Sequence, residues 1–200
     1  MKQNGFRLVV AAIAAAASFQ AAAQQGERVR GTIEKLDGST LAVKTSDGHA
    51  MRIKLTDDAR VVGVMKASMA DIKPGSFIGS AAMPQADGSQ KALEVHIFPE
   101  AMRGTGEGHR PYSIPNSTMT NGTVGNPVTS VEGQSVMLSY KGGEKKIVVP
   151  SGAPIVRYEI GDRSDLKPGA AFTILSAVKK SDGTFQTNRV NVGRDGAVPQ

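Results

Sequence analysis

The sequence predicts an all-β protein: two tandem, duplicated small β-barrel units, OB-like or SH3-like, each with one short helical turn, behind a cleaved N-terminal signal peptide. Three observations predict it. Asp-Gly and Gly-Gly pairs recur at regular spacing and supply the positive φ angles that tight hairpins need. The runs between them are short and alternate apolar with polar residues, which is the period of a strand with one buried face. The second half of the chain then repeats the first in order.

The chain opens with Lys2 and Arg7, continues through an apolar stretch over 8–17, and reaches Ala21-Ala22-Ala23. This is the layout of a secretory signal over 1–23, cut after Ala23. The apolar stretch is shorter than the roughly 20 residues a bilayer-spanning helix needs, and no later stretch comes closer. The mature protein is therefore expected in the periplasm, without a membrane span.

The first barrel unit is expected over 24–98. Leu41-Ala42-Val43, Met51-Arg52-Ile53-Lys54-Leu55 and Leu93-Glu94-Val95-His96-Ile97 read as strands. Alternation turns Leu93, Val95 and Ile97 inward, and Glu94, His96 and Phe98 outward. Hairpin turns are expected at Asp37-Gly38, Asp47-Gly48 and Asp87-Gly88, and a turn between strands at Asp57-Asp58. Ser68-Met69-Ala70-Asp71 reads as a capped helical turn. In Lys73-Pro74-Gly75, Pro presets φ for the first central position of a type II turn and Gly accepts the left-handed second. Ile72, just before it, would plug the end of the core.

An irregular Gly/Pro-rich connector follows over 99–121, then a second unit over 122–193 and a tail over 194–200. Gly122-Thr123-Val124 answers Gly31-Thr32-Ile33. Ile147, Ala153 and Val156 answer Ile53, Ala59 and Val62 at one constant offset, and Asp165-Leu166-Lys167-Pro168-Gly169 answers Asp71-Ile72-Lys73-Pro74-Gly75 at the same offset. Turns recur at Glu132-Gly133, Gly142-Gly143 and Asp182-Gly183, the last one residue out of step with Asp87-Gly88. The series reads as a duplication of one unit of about 70 residues. Units of that size are near the lower limit for independent stability. With no cysteine to staple them, they are expected to pack on one another or to exchange a strand.

Composition narrows the function. The absence of cysteine removes a thiolate metal site and a cysteine nucleophile. The formal net charge of +6 falls to +4 once Lys2 and Arg7 leave with the signal. With aromatics at only 4% and no tryptophan, neither a basic footprint nor a base-stacking platform is expected, and nucleic acid is excluded as a partner. Gly104-Thr105-Gly106-Glu107-Gly108 is followed by His109-Arg110-Pro111 and not by a helix start, so it is no phosphate loop. No Gly-x-Ser-x-Gly elbow is present, and His49 falls at a hairpin tip open to water.

The leading expectation is an exported, non-catalytic binding or adaptor protein without a cofactor. Its contact surface would lie around the connector, at Phe98, Met102, Arg103, Arg110 and Tyr112. The partner would be an envelope protein or an anionic ligand. One alternative is a metal-binding accessory, in which His96, Glu100, Glu107 and His109 supply nitrogen and oxygen ligands to a divalent transition metal. A hydrolase is the other alternative, assembled from groups distant in sequence.

With Gly-Thr-Ile/Val openings, Asp-Gly hairpins and Asp-Ile/Leu-Lys-Pro-Gly turns in both halves, most of 29–192 resembles a family of small secreted bacterial β domains of unknown function. The stretch from Glu94 to Gly108 is similar to a subgroup of exported two-unit proteins, some of which carry the name of metal transporter components. The resemblance implies an OB-like barrel and export. It implies no catalytic residue.

Overall fold

Period-two alternation becomes strand along most of the described residues. The computed structural model describes residues 26–125, 128–130 and 133–199. The expected signal peptide, and Glu132 of the expected Glu132-Gly133 turn, lie outside them. The strands are β1 (Glu27–Asp37), β2 (Thr40–Thr45), β3 (Ala50–Ala67), β4 (Phe77–Pro84), β5 (Gln90–Ile97), β6 (Gly108–Pro111), β7 (Thr118–Val124), β8 (Val128–Ser130), β9 (Gly133–Tyr140), β10 (Gly143–Val149), β11 (Ile155–Gly161), β12 (Ala171–Lys179) and β13 (Phe185–Gly193). Among the described residues, helix is confined to single 3-10 turns at Met69–Asp71, Glu100–Met102 and Arg163–Asp165. None is long or apolar enough to cross a membrane. The protein is all-β.

The strands close barrels, but not in tandem. β1 pairs with β2, β2 with β3, β3 with β13, β13 with β12, and β12 with β1, which completes a five-stranded barrel. A second hydrogen-bonded circuit runs β4, β5, β10, β9, β7 and back to β4. Neither 24–98 nor 122–193 closes a barrel by itself. Each barrel takes three strands from one half of the chain and a two-stranded hairpin from the other. This corrects the tandem arrangement in favour of exchange. The physical reason lies in β3 and β11, which pair antiparallel from Val61↔Gly161 to Ala67↔Ile155 and carry each half across into the other barrel.

The cores follow the circuits. Ile33, Leu41, Val43, Ile53, Leu55, Phe172, Ile174 and Val192 fill the first barrel. Ile78, Val95, Val136, Leu138, Ile147 and Val149 fill the second. Each such side chain contributes roughly 1.5–3 kcal/mol on burial. The expected plugs are in place but crossed: Leu166 caps the barrel of β1–β3, and Ile72 the barrel of β7, β9 and β10.

The turns that set this crossing are the expected ones. The Ser76 N–H donates to the Lys73 carbonyl at 3.0 Å and the Ala170 N–H to that of Lys167 at 3.1 Å. Gly75 and Gly169 hold φ of 83° and 86°, the left-handed position of a type II turn. From these turns the Gly75 N–H donates to the Val124 carbonyl and the Gly169 N–H to that of Ile33, each at 2.8 Å. Ser68 and Asp162 cap the preceding 3-10 turns with reciprocal capping boxes.

Three local expectations change. Asp57-Asp58 is not a turn between strands but part of the continuous β3. There, Thr56 to Ala59 bulge opposite Asn188 alone, since Leu55 faces Thr187 and Arg60 faces Arg189; the bulge bends the strand without ending it. At the matching point of the second half, Pro150 and Pro154 do end the strand. In β5, Leu93 is itself the extra residue of a bulge and is 37% exposed, because Ala82 faces Ala92 while Ala81 faces Glu94. Finally, 194–199 is part of the fold. Ala197 is buried, and the Thr173 hydroxyl donates to the Pro199 carbonyl at 2.8 Å.

Candidate functional site

The seam between the barrels carries the chemistry that neither core can hold. Glu94 and His96 do point away from the barrel interior, as alternation requires. They are nevertheless buried, at 7% and 6% exposure, because the outer face of β5 packs into this seam. The outward direction holds, and the second layer there removes the exposure that a strand with one buried face would otherwise give them. His96 Nε2 lies 3.1 Å from Glu94 Oε2, while Glu94 Oε1 is buried without a hydrogen-bond partner. The His96 ring stacks on Tyr158 at 5.0 Å. Phe98 meets Tyr158 edge-on at 5.3 Å and Phe77 at 5.5 Å. Burial, reinforced by the Glu94 charge, pushes the Tyr158 hydroxyl well above its ordinary pKa, with Arg189 acting in the opposite direction.

The connector roofs the seam. Pro99 leads into the 3-10 turn at Glu100–Met102, and Phe98 and Met102 pack on Val62, Val64, Val156 and Tyr158. Arg103 grips Glu100 in a two-point ion pair at 2.5 and 2.7 Å, donates to the Gly75 carbonyl at 2.9 Å, and lies over the Phe77 ring. That pair holds the Glu100 carboxyl below its ordinary pKa. Asn121 donates to the Thr105 carbonyl at 2.9 Å, Glu107 accepts from the Lys141 N–H at 2.9 Å, and Arg110 donates to the Gly106 carbonyl at 2.6 Å. Tyr112 is half-buried and receives Arg28 at 3.4 Å. The connector is thus tied down along its length, with β6 paired to β7.

The four residues expected around a metal do not come together. His96 faces Glu94, Glu100 faces Arg103, Glu107 faces Lys141, and His109 Nδ1 lies 2.8 Å from the Thr120 hydroxyl. Burial, then the Lys145 charge, lowers the His109 pKa. Among the described residues, no three His, Asp or Glu side chains gather as a metal site would require. Of the expected contact residues, Phe98, Met102 and Arg103 gather at the seam, while Arg110 and Tyr112 serve the connector's own ties.

A cleft of ≈ 600 Å³ opens at the edge of this roof, bounded by Met102 and Thr105 of the connector, Arg60 and Val62 of β3, Ile160 of β11, and by Arg163 and Arg189. Arg60, Arg163 and Arg189 make no ion pair among the described residues. The Arg189 guanidinium donates to the Asn191 side-chain carbonyl at 3.1 Å. Burial lowers the Arg189 pKa, and the neighbouring Arg60 charge acts in the same direction. Asp162, the one carboxylate on the wall, is occupied in capping the Ser164 N–H at 2.6 Å. Such a site can neutralise an anion and cannot readily satisfy a cation.

None of these three arginines stood out in the sequence, since each arrives from a different strand or turn. One signal was available. Shifted by the one-residue slip between the halves, Glu94 corresponds to Arg189 and His96 to Asn191. Both positions face the seam, and their charges are opposite. Compared with known proteins, the chain matches no family model, no curated protein and no solved structure.

Proposed function

We propose that this chain is an exported, non-catalytic binding protein, built by duplication of one β unit, whose ligand is an anion held in the cleft beside the connector. The observation that carries the reading is the set of three arginines in the lining of one cleft, with no carboxylate paired to them among the described residues. Arg60 and Arg189 stand opposite one another in the β3–β13 ladder with like charges, while among the described residues the Arg163 side chain donates only to the Gly38 carbonyl, at 3.4 Å. Like charges are costly to bring together, and an anion relieves that cost with charge-assisted, often two-point hydrogen bonds. The signal-like N-terminus and the resemblance to secreted two-unit β proteins support export. The ties along the connector support a preformed site, the usual condition of small-molecule clefts.

The test is an NMR titration of the processed chain with inorganic phosphate and with acetate. Saturable shifts of the amides of Arg60, Met102 and Arg189, lost in Arg60→Glu, are expected. Shifts confined to the lysine-bearing turns, or none at all, would overturn the reading.

A further inference from the structure

We infer that the anion taken by this cleft is amphiphilic: a carboxylate or phosphate monoester head on an unbranched apolar chain. This rests on the anion-binding reading above and adds its substrate class. The arginines account for the head. They do not account for the apolar part of the lining, where Val62, Ala101, Met102 and Ile160 present aliphatic and thioether surface beside the Arg60–Arg189 row of the same sheet.

Ile160 is the decisive residue. It sits next to last in β11, opposite the buried Val62 of β3, and within the ladder it is still 67% exposed. A large aliphatic side chain left open to water on a cleft wall lacks a partner that an apolar chain would supply. A sugar phosphate or an inorganic anion would leave that wall wet. Met102 suits the same occupant, because its flexible, polarisable side chain repacks around chains of varied length. Its backbone is fixed above the cleft by the Met102 N–H bond to the Pro99 carbonyl at 2.8 Å. At ≈ 600 Å³ the cleft falls within the usual range for small-molecule sites, enough for a head group and a chain of about eight to ten carbons.

The experiment is calorimetry on the processed chain with hexyl, octyl and decyl phosphate, with the matching carboxylates, and with inorganic phosphate, decanol and decyltrimethylammonium as controls. Each added methylene is expected to tighten binding by up to about fourfold. Arg60→Glu should weaken every anion by about tenfold or more. Ile160→Thr, a neutral and still β-branched change at an exposed strand position, should flatten the chain-length dependence, with the loss falling on decyl phosphate more than on hexyl phosphate. The phosphate and carboxylate series separate the two head groups. Inorganic phosphate binding as tightly as decyl phosphate would overturn the amphiphile while leaving the anion site standing. Decanol or decyltrimethylammonium binding as well as the anions would overturn the role of the arginines. No binding by any of them would overturn both.

Discussion

Val64 stands opposite Tyr158 in the β3–β11 ladder, and the neighbouring pairs run symmetrically about them, Val62 with Ile160 and Lys66 with Val156. At the offset that relates Ile53 to Ile147, Val64 is the counterpart of Tyr158, so the two halves cross at one equivalent point. The same relation appears where the hairpins dock. Phe172 faces Gly31, and its counterpart Ile78 faces Gly122. The crossing makes the barrels interdependent, because a strand leaving it cannot return to its own half without breaking this ladder.

The halves should therefore not fold apart. Residues 24–98 contain β1 to β3 without the β12–β13 hairpin that closes their barrel, and a β4–β5 hairpin without its acceptor strands. Isolated hairpins are marginal at best in water. Expressed alone, 24–98 is expected to show no cooperative thermal transition by circular dichroism, and co-expression with 99–200 should restore one. A cooperative melt of 24–98 alone would mean that the hairpin can close its own barrel.

Gly31 and Gly122 are expected to tolerate no side chain. A Cβ on Gly31 would lie 2.0 Å from the Lys44 carbonyl oxygen, and one on Gly122 2.6 Å from that of Ser139. Both obstacles are backbone of a paired strand and cannot swing aside. Gly31→Ala and Gly122→Ala should each destabilise by about 1–3 kcal/mol or more. Gly152→Ala, with open space around it, should be near neutral. Urea midpoints for the three variants check the ranking.

What was legible in the sequence was what local chemistry decides. Pro74 and Gly75 announce their turn because no other pair of residues sets those two dihedrals so cheaply, and Ile53 and Leu55 announce an inward face by period alone. The exchange was not legible, because β4–β5 and β12–β13 carry the same alternation and would fit either barrel. Burial of His96 was hidden for a related reason. Alternation tells which way a side chain leaves its strand, but not whether a second layer waits there. The cleft was least legible, since Arg60, Ile160 and Arg189 meet only after the crossing of β3 and β11.

Arg194 should give stability an acid limb. Its side chain donates to Asp165 at 3.0 and 2.8 Å and to Glu159 of β11 at 2.7 Å, and its N–H donates to the Val64 carbonyl of β3 at 2.9 Å, so it ties the end of the chain to both strands of the ladder. The bonds from Arg194, above all other causes, hold the Asp165 carboxyl below its ordinary value of 3.8. A carboxyl whose pKa is depressed on folding contributes stability above its unfolded pKa and loses it as pH falls through the folded one. Arg194→Met should thus cost about 1–3 kcal/mol near neutral pH, with the gap from wild type shrinking as pH drops below about 4. Urea unfolding at several pH values measures that gap. A gap that stays constant down to pH 2 would show that Asp165 is not the group responsible.

The Glu94–His96 pair should cost more when halved than when removed. Their side chains are 9% and 8% exposed, and Glu94 Oε1 already lacks a partner. His96→Ala takes the remaining partner from Oε2 and the stacked ring from Tyr158, which leaves a buried carboxyl with nothing to bond. Breaking a buried pair in this way costs about 3–5 kcal/mol. Glu94→Leu with His96→Leu removes both polar groups and refills the seam with apolar volume, so the double variant is expected to recover most of that loss. Urea unfolding with comparison of slopes as well as midpoints settles the matter. A double variant as unstable as the two single variants combined would mean that the seam depends on this pair for more than charge balance, in the packing of Tyr158 between His96 and Phe98.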